Sequence, residues 1–508
     1  MRGFRAVLVE RVDLGQGTTG RFHGLLHSGG RYVVSDPRSA TECAEENATL
    51  KRIAAGAIED TGGLFVTTPA DDPDYADRFL AGCGEAGVPV QEIAPAVALA
   101  REPRVNPGIS RAFEVQDAAV DAWRLLWGNA ASAQAHGARI LTYHWVTGVL
   151  RDGDRVAGAV ARDDRGGGEV RIEAAFTVNA GGIWAGEIAD MADCPGVTVV
   201  PGKGVMIAMN HRLVSTCVNR CEPPGDGDIL VPIRTVCVIG TTDEKADSPD
   251  DIDIARDHVQ EMLDAGEVIV PGFRQARALH AWSGSRPLFK DERGEVGGNG
   301  EESDGDTRQM SRGLALVDHL RRDGVSGFMT ITGGKLTTYR LMAETAVDAM
   351  CEQLGEQRPC TTAGETLPGS EEGRTYWLGS RLAARERDMA EDQLVCECEL
   401  LPRRKLVEAA ERRPDMNLDD LRRLLRLGMG PCQGGFCTYR AAGILHGLGN
   451  ADAVRADELV LMFLQHRWQG LEPILYGDQM RQAVLDDWIF QGILDVEHLP
   501  ARMPARPV

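Results

Sequence analysis

The feature that most constrains the fold is a unit that recurs along the chain: a short apolar strand runs into a glycine-rich turn, and a helix follows. One such unit spans residues 176–191 and turns at Gly181, and another spans 328–354 and turns at Gly334. A third strand, at 6–10, runs into a turn rich in glycine and threonine. Units of this kind are typical of α/β proteins with parallel strands, so the sequence predicts an α/β fold with a Rossmann-type domain.

Between these units the pattern changes to strands without intervening helices. The dipeptide Asp152-Gly153 is a hairpin signal between two strand-like runs, and further strand-like segments dominate 197–240. We therefore expect an antiparallel sheet that covers a substrate, with its strands mainly within 65–120 and 198–310.

The length of 508 residues predicts more than one domain. We expect a large α/β domain at 1–365, a linker at 366–390, a small helical domain at 391–450 and a helical C-terminal tail at 451–508. An acidic and glycine-rich stretch near 291–306 is predicted to be a loop.

The composition excludes some classes of function. The formal net charge of −21 argues against nucleic-acid binding, since a phosphate backbone requires a basic protein surface. The surplus acid fits either the solvated surface of a halophile or a genome whose codons favour Arg over Lys. No apolar run reaches the ~18 residues that a membrane-spanning helix needs, and the N-terminal residues do not read as a signal peptide. We therefore expect a cytoplasmic protein.

Four of the twelve cysteines form two close pairs. One residue separates Cys396 from Cys398, and Cys432 and Cys437 flank a glycine-rich loop. Thiolates ligate both iron–sulfur clusters and structural zinc, so ligand number alone leaves both open. The Cys-x-Cys spacing and the glycine-rich loop favour a [2Fe–2S] cluster, because nearby backbone amides can donate hydrogen bonds to the sulfurs. The other cysteines are predicted to be buried apolar side chains.

Further motifs resemble one family of flavoenzymes. They are Glu10-Arg11, Gly17-Thr18-Thr19-Gly20, residues 23–32 (HGLLHSGGRY), residues 284–288 (GSRPL) and residues 332–340 (TGGKLTTYR). Together they resemble FAD-dependent glycerol-3-phosphate dehydrogenases, and the resemblance covers nearly the whole chain. It implies a bound FAD and the oxidation of sn-glycerol 3-phosphate to dihydroxyacetone phosphate, with the hydride passing to flavin N5.

The cysteine region narrows this resemblance. The pattern Cys-x-Cys followed by Gly-Met-Gly-x-Cys-Gln-Gly-x-x-Cys resembles the bacterioferritin-associated ferredoxin-like [2Fe–2S] domain. Its fusion to a flavin domain is similar to the A subunits of anaerobic, three-subunit glycerol-3-phosphate dehydrogenases. The resemblance implies partner subunits B and C, and electrons that pass through the cluster and these partners to quinone. It also implies a peripheral location on the inner face of the cell membrane, reached only through the partners.

The resemblance further implies which residues contact the flavin. Glu10, at the end of the first strand, is expected to accept hydrogen bonds from the adenosine ribose. The other implied positions are Gly17, Thr18 and Thr19 on the isoalloxazine side, Gly181 and Gly182 beside the dinucleotide, and Gly334 and Leu336 beside the ring.

The beginning of the sequence departs from the family pattern. The family starts with a strand and a Gly-x-Gly-x-x-Gly turn that holds the FAD pyrophosphate, and no such segment precedes Glu10. We expect that the start codon has been placed about thirty residues late; a truncated chain and a loss of FAD binding are the alternatives. The chain as written is expected to bind FAD poorly.

Oxidation of a phosphorylated alcohol needs an anion clamp and a base for the hydroxyl proton. Arginine suits phosphate because its planar fork donates two parallel hydrogen bonds, and the resemblance places Arg31, Arg286 and Lys335 at the substrate with Tyr32 beside them. His27 also matches an active-site position and is a natural base. Because Arg286 could also receive or polarise the proton, both candidates for the base stay open.

Two other functions are compatible with parts of the sequence. A related flavin-dependent amino-acid or 2-hydroxyacid dehydrogenase could carry the same cysteine region, but it would need no phosphate clamp. An iron–sulfur electron-transfer or scaffold subunit that has lost FAD is the third hypothesis. An in-frame upstream segment encoding a strand and a Gly-x-Gly-x-x-Gly turn would exclude this third one.

Overall fold

The computed structural model describes residues 1–290, 307, 310, 312–371, 382–383, 385–386 and 392–499. The acidic stretch predicted as a loop at 291–306 lies outside these residues, and so does most of the predicted linker at 366–390. Every helix of the described part is too short or too polar to cross a membrane.

The strands are mostly short, apart from two of thirteen residues each. In chain order they are β1 (Val7–Val9), β2 (Leu25–Leu26), β3 (Ile58–Glu59), β4 (Gly63–Thr67), β5 (Val90–Ile93), β6 (Arg111–Val115), β7 (Ala118–Val120), β8 (Arg139–Leu141), β9 (His144–Asp152), β10 (Arg155–Asp163), β11 (Gly168–Glu173), β12 (Thr177–Asn179), β13 (Thr198–Asn210), β14 (Cys217–Arg220), β15 (Ile229–Ile233), β16 (Val236–Gly240), β17 (Glu244–Lys245), β18 (Ala278–Lys290), β19 (Leu314–Asp318), β20 (Phe328–Gly333), β21 (Leu394–Cys396) and β22 (Leu401–Pro402).

The helices flank these strands and form most of the C-terminal region. In chain order they are α1 (Pro37–Ile53), α2 (Tyr75–Ala86), α3 (Pro95–Arg101), α4 (Ala122–Ala135), α5 (Ala185–Met191), α6 (Arg256–Ile269), α7 (His319–Asp323), α8 (Tyr339–Leu354), α9 (Arg403–Arg412), α10 (Leu418–Leu425), α11 (Cys437–Gly447), α12 (Ala453–Leu471) and α13 (Asp478–Phe490).

A sheet of nine strands contains most of the long strands. Its order is β17-β13-β16-β15-β14-β4-β6-β5, and β18 pairs with β13 along most of its length. The pairings are antiparallel except for β4 with β14. Helix α6 buries Val259, Met262 and Leu263 in the same core as the apolar residues of this sheet. The antiparallel sheet predicted from the sequence is confirmed, whereas its role as a cover for substrate stays a prediction.

The parallel strands occur in two smaller sheets. Strands β12 and β20 pair in parallel, and helices α5 and α8 follow them, so the two repeated units are confirmed. Strand β1 of the first unit instead pairs in parallel with β8 in a separate two-stranded sheet. In the described residues, the parallel strands expected of a Rossmann-type domain are therefore divided between two sheets. Strand β20 cannot accept β1, because β12 occupies one of its edges and β19 the other.

Helices α9 to α13 pack around a core of their own. Leu406, Leu421, Leu445 and Phe463 are almost fully buried in it, and the hairpin of β21 and β22 closes one end. The helical character predicted for this region is confirmed, and the predicted domain boundaries stay a prediction.

Buried ion pairs join this helical region to the rest of the chain. Arg234, in the turn between β15 and β16, pairs with Asp121 at the start of α4 and with Glu399 beside the first cysteine pair. Arg426 pairs with the same two carboxylates, at 3.4 Å and 3.2 Å. Because each carboxylate is shared by two guanidinium groups, the four side chains form one network between the two regions. We call this group the Asp121 network.

Candidate active site and four-cysteine centre

Four cationic side chains lie close enough to the buried His27 and the partly buried His23 for their charges to lower the pKa of one or both imidazoles. Their positions come from different elements: Arg31 lies in a one-turn helix at Gly30–Tyr32, Arg286 on β18, Arg312 just before β19, and Lys335 directly after β20. Their positive charges act on one or both imidazoles. The fold thus brings Arg31, Arg286 and Lys335 together, as the resemblance implied, and adds Arg312. We call these four residues the cation pocket.

The turn that presents Arg31 depends on a glycine. Gly29 has a φ of +100°, and a Cβ atom there would lie 2.3 Å from the carbonyl oxygen of Ala40. Any other residue would therefore be strained and would clash with α1.

Arg31 is held by a buried carboxylate. Its guanidinium donates to Asp228 Oδ2 at 2.6 Å and to the carbonyl of Gly225 at 3.4 Å. Burial alone would lower the pKa of Arg31, but the charge and hydrogen bond of Asp228 raise it above its ordinary value. The other oxygen of Asp228 is buried and makes no hydrogen bond within the described part of the chain. The arginine is therefore charged and fixed before any ligand arrives.

Arg286 is held in a similar way by Asp243. Its guanidinium donates to Asp243 Oδ1 at 2.5 Å, to the hydroxyl of Thr241 and to the carbonyl of Thr242. Burial and the nearby charge of Arg312 lower the pKa of Arg286 to about 10. Arg286 thus remains charged at neutral pH, although its proton is easier to remove than that of an exposed arginine.

Lys335 lies over the ring of Tyr32, with Nζ 4.4 Å from the ring centroid. It also donates to the carbonyl of Arg312 at 2.9 Å. Within the described residues, Asp228 and Asp243 are the carboxylates paired with the four cations. Four positive charges against two negative ones leave a surplus of two, so the cation pocket is suited to a dianion.

The histidines of the pocket are neutral at physiological pH. Burial and neighbouring positive charges lower the pKa of His27 well below its ordinary value and that of His23 to about 3. The ring of His27 lies 5.3 Å from that of Tyr32 and 5.9 Å from that of His23. The backbone N–H of His27 donates to Thr337 Oγ1 at 3.1 Å, which ties it to the segment that bears Lys335. A neutral imidazole in this position can accept a proton.

The predicted flavin contacts on the N-terminal side lie close to one tryptophan. Gly17 leaves room for the ring of Trp184, since a Cβ atom on it would lie 3.5 Å from that ring, and Arg11 stacks on the same ring at 4.5 Å. Thr18 donates to the carbonyl of Ser285, next to Arg286, at 2.7 Å. This hydrogen bond places Thr18 next to the cation pocket.

The other predicted flavin contacts differ in their surroundings. Gly182 has a φ of +59°, and the space where its Cβ would lie is open. A Cβ on Gly181 would instead meet Ile188, and one on Gly334 would meet Met342 at 2.3 Å, so these two glycines are needed for internal packing.

The remaining three positions have other surroundings. Thr19 is exposed, and Leu336, directly after Lys335, packs against the core that includes Leu26 and Leu50. Glu10 is partly buried beside β8, and burial raises its pKa. The described structure therefore gives these three positions no polar contact with the cation pocket.

A bound flavin fits two observations. The indole N–H of Trp184 is buried and makes no hydrogen bond among the described residues, and an unsatisfied buried donor normally implies a missing partner. The open space beside Gly182 lies two residues away along the chain. A flat cofactor with polar edges would fill that space and supply an acceptor.

The four-cysteine centre joins the hairpin of β21 and β22 to the loop before α11. The sulfurs of Cys398 and Cys432 are 3.8 Å apart, and Cys396 makes side-chain hydrogen bonds with both Cys398 and Cys437. A Cβ on Gly430 would lie 2.2 Å from that of Cys398, so only glycine allows the two loops to approach this closely. The fold therefore brings together all four cysteines that the sequence analysis singled out.

Backbone amides surround these sulfurs. The N–H groups of Gly428, Cys432, Gly434 and Gly435 donate to cysteine sulfurs. Contact with Cys398, followed by burial, raises the pKa of Cys432, so that without a metal the thiol stays protonated. Four thiols with amide donors fit an iron–sulfur cluster, because such donors stabilise the negative charge of thiolate and sulfide.

The other cysteines do not form a comparable group in the described part of the chain. Seven of the eight are buried, and Cys360 is partly exposed. Cys194 lies close to His319 and Asp323, but both ring nitrogens of His319 already have partners, Asp323 at 2.6 Å and Thr330 at 2.8 Å. This second group is explained by internal hydrogen bonding.

The sequence analysis missed Arg312, Asp228 and Asp243. The two aspartates adjoin the buried strands β15 and β16, and an acid next to a buried strand is a signal that could have drawn attention to them. Arg312 belongs to none of the motifs, and only the pairing of β19 with β20 brings it beside Lys335.

Comparison with known proteins gives a family for the greater part of the chain. The model of the family described as "FAD dependent oxidoreductase" matches residues 1–340. The A subunit of the anaerobic glycerol-3-phosphate dehydrogenase of Escherichia coli (strain K12) is 42% identical, over 98% of this chain and 94% of the relative. The A1 subunit of the enzyme of that name from Haloferax volcanii is 41% identical, over 99% of this chain and 89% of the relative.

A solved structure agrees in fold. The FAD complex of glycerol-3-phosphate dehydrogenase from Bacillus halodurans aligns with a TM-score of 0.56 over 98% of this chain and 90% of that one, at 22% identity. At this identity the likeness establishes the fold of a flavin-dependent oxidoreductase with mixed α/β sheets.

Proposed function

The chain belongs to the FAD-dependent oxidoreductase family and, within it, to the anaerobic glycerol-3-phosphate dehydrogenase A subunits, and from this premise we propose that it oxidises sn-glycerol 3-phosphate to dihydroxyacetone phosphate with FAD. The observation that supports the proposal is the surplus of two positive charges in the cation pocket. A phosphate monoester carries about −1.5 to −2 charge at pH 7. The charge of the pocket thus matches the substrate of the family.

In this proposal Arg31, Arg286 and Lys335 bind the phosphate, and Tyr32 orients Lys335 through the contact between its ring and Nζ. Arg312 adds to the positive potential behind Arg286. Asp228 and Asp243 fix the two guanidinium groups, so that little conformational entropy is lost when the anion binds.

His27 is the proposed base for the proton of the C2 hydroxyl. Its ring is neutral because burial and the surrounding cations lower its pKa. When the phosphate dianion enters, it offsets these cations, and the pKa of His27 rises towards the range in which it can accept a proton. Arg286, whose pKa is lowered to about 10, is the alternative acceptor and in this proposal polarises the hydroxyl.

FAD, when bound, accepts the hydride from C2 at its N5 atom. The residues proposed to hold it are Gly17, Thr18, Trp184 and Gly182 at the opening beside the cation pocket, with Glu10 at the ribose. Thr19, Gly181, Gly334 and Leu336 complete the set inferred from the family motifs. In this arrangement the protein aligns substrate and cofactor and keeps water from the reacting atoms.

The residues proposed to hold a [2Fe–2S] cluster are Cys396, Cys398, Cys432 and Cys437, and such a cluster would supply one-electron transfer away from the flavin. The donor set supports it: four thiols, amide donors on the sulfurs and a close approach at Gly430. The Asp121 network fixes Glu399, directly after Cys398, against α4. This contact would hold the cluster domain at a constant position relative to the flavin domain.

Relatives at 39–42% identity are named as the A subunit of an anaerobic enzyme, which implies partner subunits. We propose that subunits B and C take the electrons onward to quinone, and that this chain is cytoplasmic and reaches the inner face of the cell membrane only through them. The proposed order of domains is the one predicted from the sequence, with the flavin domain at 1–365 and the cluster domain at 391–450.

The two competing functions fit the pocket less well. A flavin-dependent amino-acid or 2-hydroxyacid dehydrogenase binds a single carboxylate, for which two surplus positive charges are not needed. A scaffold without FAD would not need a pocket in which four cations face only two carboxylates, because the two unpaired charges are costly unless an anion binds them.

The proposal is tested by mixing the FAD-loaded protein anaerobically with sn-glycerol 3-phosphate and following flavin absorbance. We expect bleaching with this substrate and at least ~100-fold slower bleaching with glycerol or lactate, which lack the phosphate. His27→Gln should slow the bleaching without abolishing substrate binding, measured by titration. A flavin that stays oxidised with glycerol 3-phosphate would overturn the proposal.

A further inference from the structure

Helix α13 exposes a row of large apolar side chains. Along this helix the exposed apolar side chains are Met480, Val484, Leu485 and Trp488, of which Val484 is 53% and Trp488 71% exposed. A helix at a protein surface normally buries its apolar stripe and exposes its polar face. Here the apolar residues at positions i, i+4 and i+8 face outward, away from the protein's own core.

The buried face of the same helix is partly polar. Gln479 is 1% exposed, and neither its amide nitrogen nor its oxygen makes a hydrogen bond within the described residues. Asp486 is 3% exposed and pairs with Arg467 of α12. Ile489 and Phe490 are also buried, so α13 divides its apolar side chains between the core and the surface and leaves a row of four exposed.

The buried face of α13 contacts the four-cysteine centre. The carboxylate of Asp486 lies so close to Gly435 that a Cβ there would be 2.5 Å from Oδ1. Arg277 connects Gln482 to the carbonyl of Pro431, with hydrogen bonds of 3.0 Å and 2.7 Å. The exposed apolar side of α13 is therefore separated by the width of one helix, about 10 Å, from the loop that bears Cys432 and Cys437.

The apolar area continues beyond the helix. Ile493 is 75% exposed just after it, Trp468 on α12 is 52% exposed, and Phe436, next to Cys437, is 42% exposed. Apolar side chains grouped in this way mark an interaction site, whereas single exposed ones do not. We call Met480, Val484, Leu485, Trp488 and Ile493 the outward stripe.

The charges around the outward stripe decide between a membrane and a protein as its partner. Among the described residues, the exposed acids nearest in the chain are Asp478, Asp487, Asp495 and Glu497. Two of them have basic partners, Arg481 at 3.2 Å from Asp478 and His498 at 2.6 Å from Asp495, so that Asp487 and Glu497 leave the surroundings acidic. Helices that bind anionic lipid need a basic polar face. The acidic rim here disfavours a lipid surface and complements a protein with basic side chains around an apolar face.

We propose that the outward stripe is the docking surface for an electron-accepting partner protein that presents an apolar patch with a basic rim. The inference rests on the proposed function, since it assigns to that partner the place from which electrons leave the four-cysteine centre. A tryptophan at the centre of an interface often contributes a large share of the binding energy, and Trp488 is the aromatic residue of the stripe.

The test uses the cluster-loaded protein co-expressed with the B subunit encoded by the same organism. The variant Val484→Asp/Trp488→Asp places charge in the stripe, and Val97→Asp/Leu320→Asp is the matched control, because these residues are similarly exposed apolar side chains on α3 and α7. We expect the stripe variant to bind the B subunit at least ~30-fold more weakly by interferometry, and the control to bind within ~3-fold of the natural protein.

Two further measurements test whether the stripe variant is folded and still oxidises the substrate. The stripe variant should keep the electron paramagnetic resonance spectrum of its cluster and the rate of flavin bleaching by glycerol 3-phosphate, which shows that it is folded and that the proposed function stands. Unchanged binding of the B subunit by the stripe variant would overturn the inference, even if the flavin is bleached normally. Loss of a dimer of this chain alone, or loss of binding to vesicles of phosphatidylglycerol, would also overturn it in favour of a second copy or a lipid surface.

Discussion

The cation pocket and the four-cysteine centre are built on different principles. The pocket takes its cations from a large sheet and its neighbours, and Arg31 and Arg286 each have a dedicated buried carboxylate, Asp228 and Asp243. The four-cysteine centre takes its ligands from two loops of a small helical region, and its sulfurs interact mainly with each other and with backbone amides. The first offers a surplus of two positive charges to an anion, and the second offers four sulfurs to a metal.

This difference indicates how each site responds to change. A pocket whose two arginines are already fixed by carboxylates should lose function when one residue is replaced, while the fold persists. A centre of four cysteines gains stability when it binds a metal, so removal of one ligand should remove the cluster and loosen the surrounding loops. The three variants that follow separate these two responses.

The largest effect is expected for Cys432→Ser. A serine cannot supply the soft ligand that iron requires, so the visible absorbance and the paramagnetic signal of the cluster should disappear completely. Bleaching of the flavin by glycerol 3-phosphate should remain within ~3-fold of the natural rate, since the cation pocket does not depend on the cluster. Cys360→Ser, at a partly exposed cysteine outside the centre, is the control. A normal cluster in Cys432→Ser would show that the ligand assignment is wrong.

A smaller effect is expected for Arg31→Gln, which removes one positive charge from the cation pocket. Loss of one charge-assisted contact to phosphate should reduce kcat/KM for glycerol 3-phosphate by about 100-fold, or ~2.7 kcal/mol. The cluster spectrum should not change. The matched control is Arg38→Gln, whose side chain is 85% exposed on α1. If kcat/KM changes by less than ~3-fold, Arg31 does not bind the substrate.

The smallest effect is expected for Asp121→Asn, at the contact between the two regions. Burial would raise the pKa of this carboxyl, but Arg426, Arg234 and Arg124 lower it to about 2. The ionised form therefore stabilises the folded state by about 2–3 kcal/mol above pH ~4, and this contribution disappears as the pH falls through ~2. Urea unfolding should show the full deficit of the variant at pH 7 and a smaller one at pH 3.

The control for this prediction is Asp77→Asn, because the side chain of Asp77 is 81% exposed. Its effect on stability should stay below ~0.5 kcal/mol. A deficit of Asp121→Asn that does not shrink between pH 7 and pH 3 would show that the Asp121 network contributes through packing rather than charge.

Local pattern was sufficient to predict much of the architecture. The units that contain β12 and β20 follow from an apolar run, a glycine turn and a helical period, all of which are local properties of the chain. The pairing of β1 with β8 was not predictable in this way, since strand partners depend on contacts between distant residues. The resemblance to a family placed Arg31, Arg286 and Lys335 at the substrate, a role that stays a prediction, whereas Arg312, Asp228 and Asp243 belong to none of the motifs and were found only in three dimensions.

The sequence by itself determined the chemistry that is available: four thiols in two close pairs, a set of arginines and one lysine in glycine-rich motifs, and the family to which these motifs belong. The tertiary structure decided which charges meet. It paired Asp228 with Arg31 and Asp243 with Arg286, and it lowered the pKa of His27 through burial. It also left a row of apolar side chains on α13 exposed. These features depend on the dielectric environment and on long-range packing, and neither can be read from the spacing of residues along the chain.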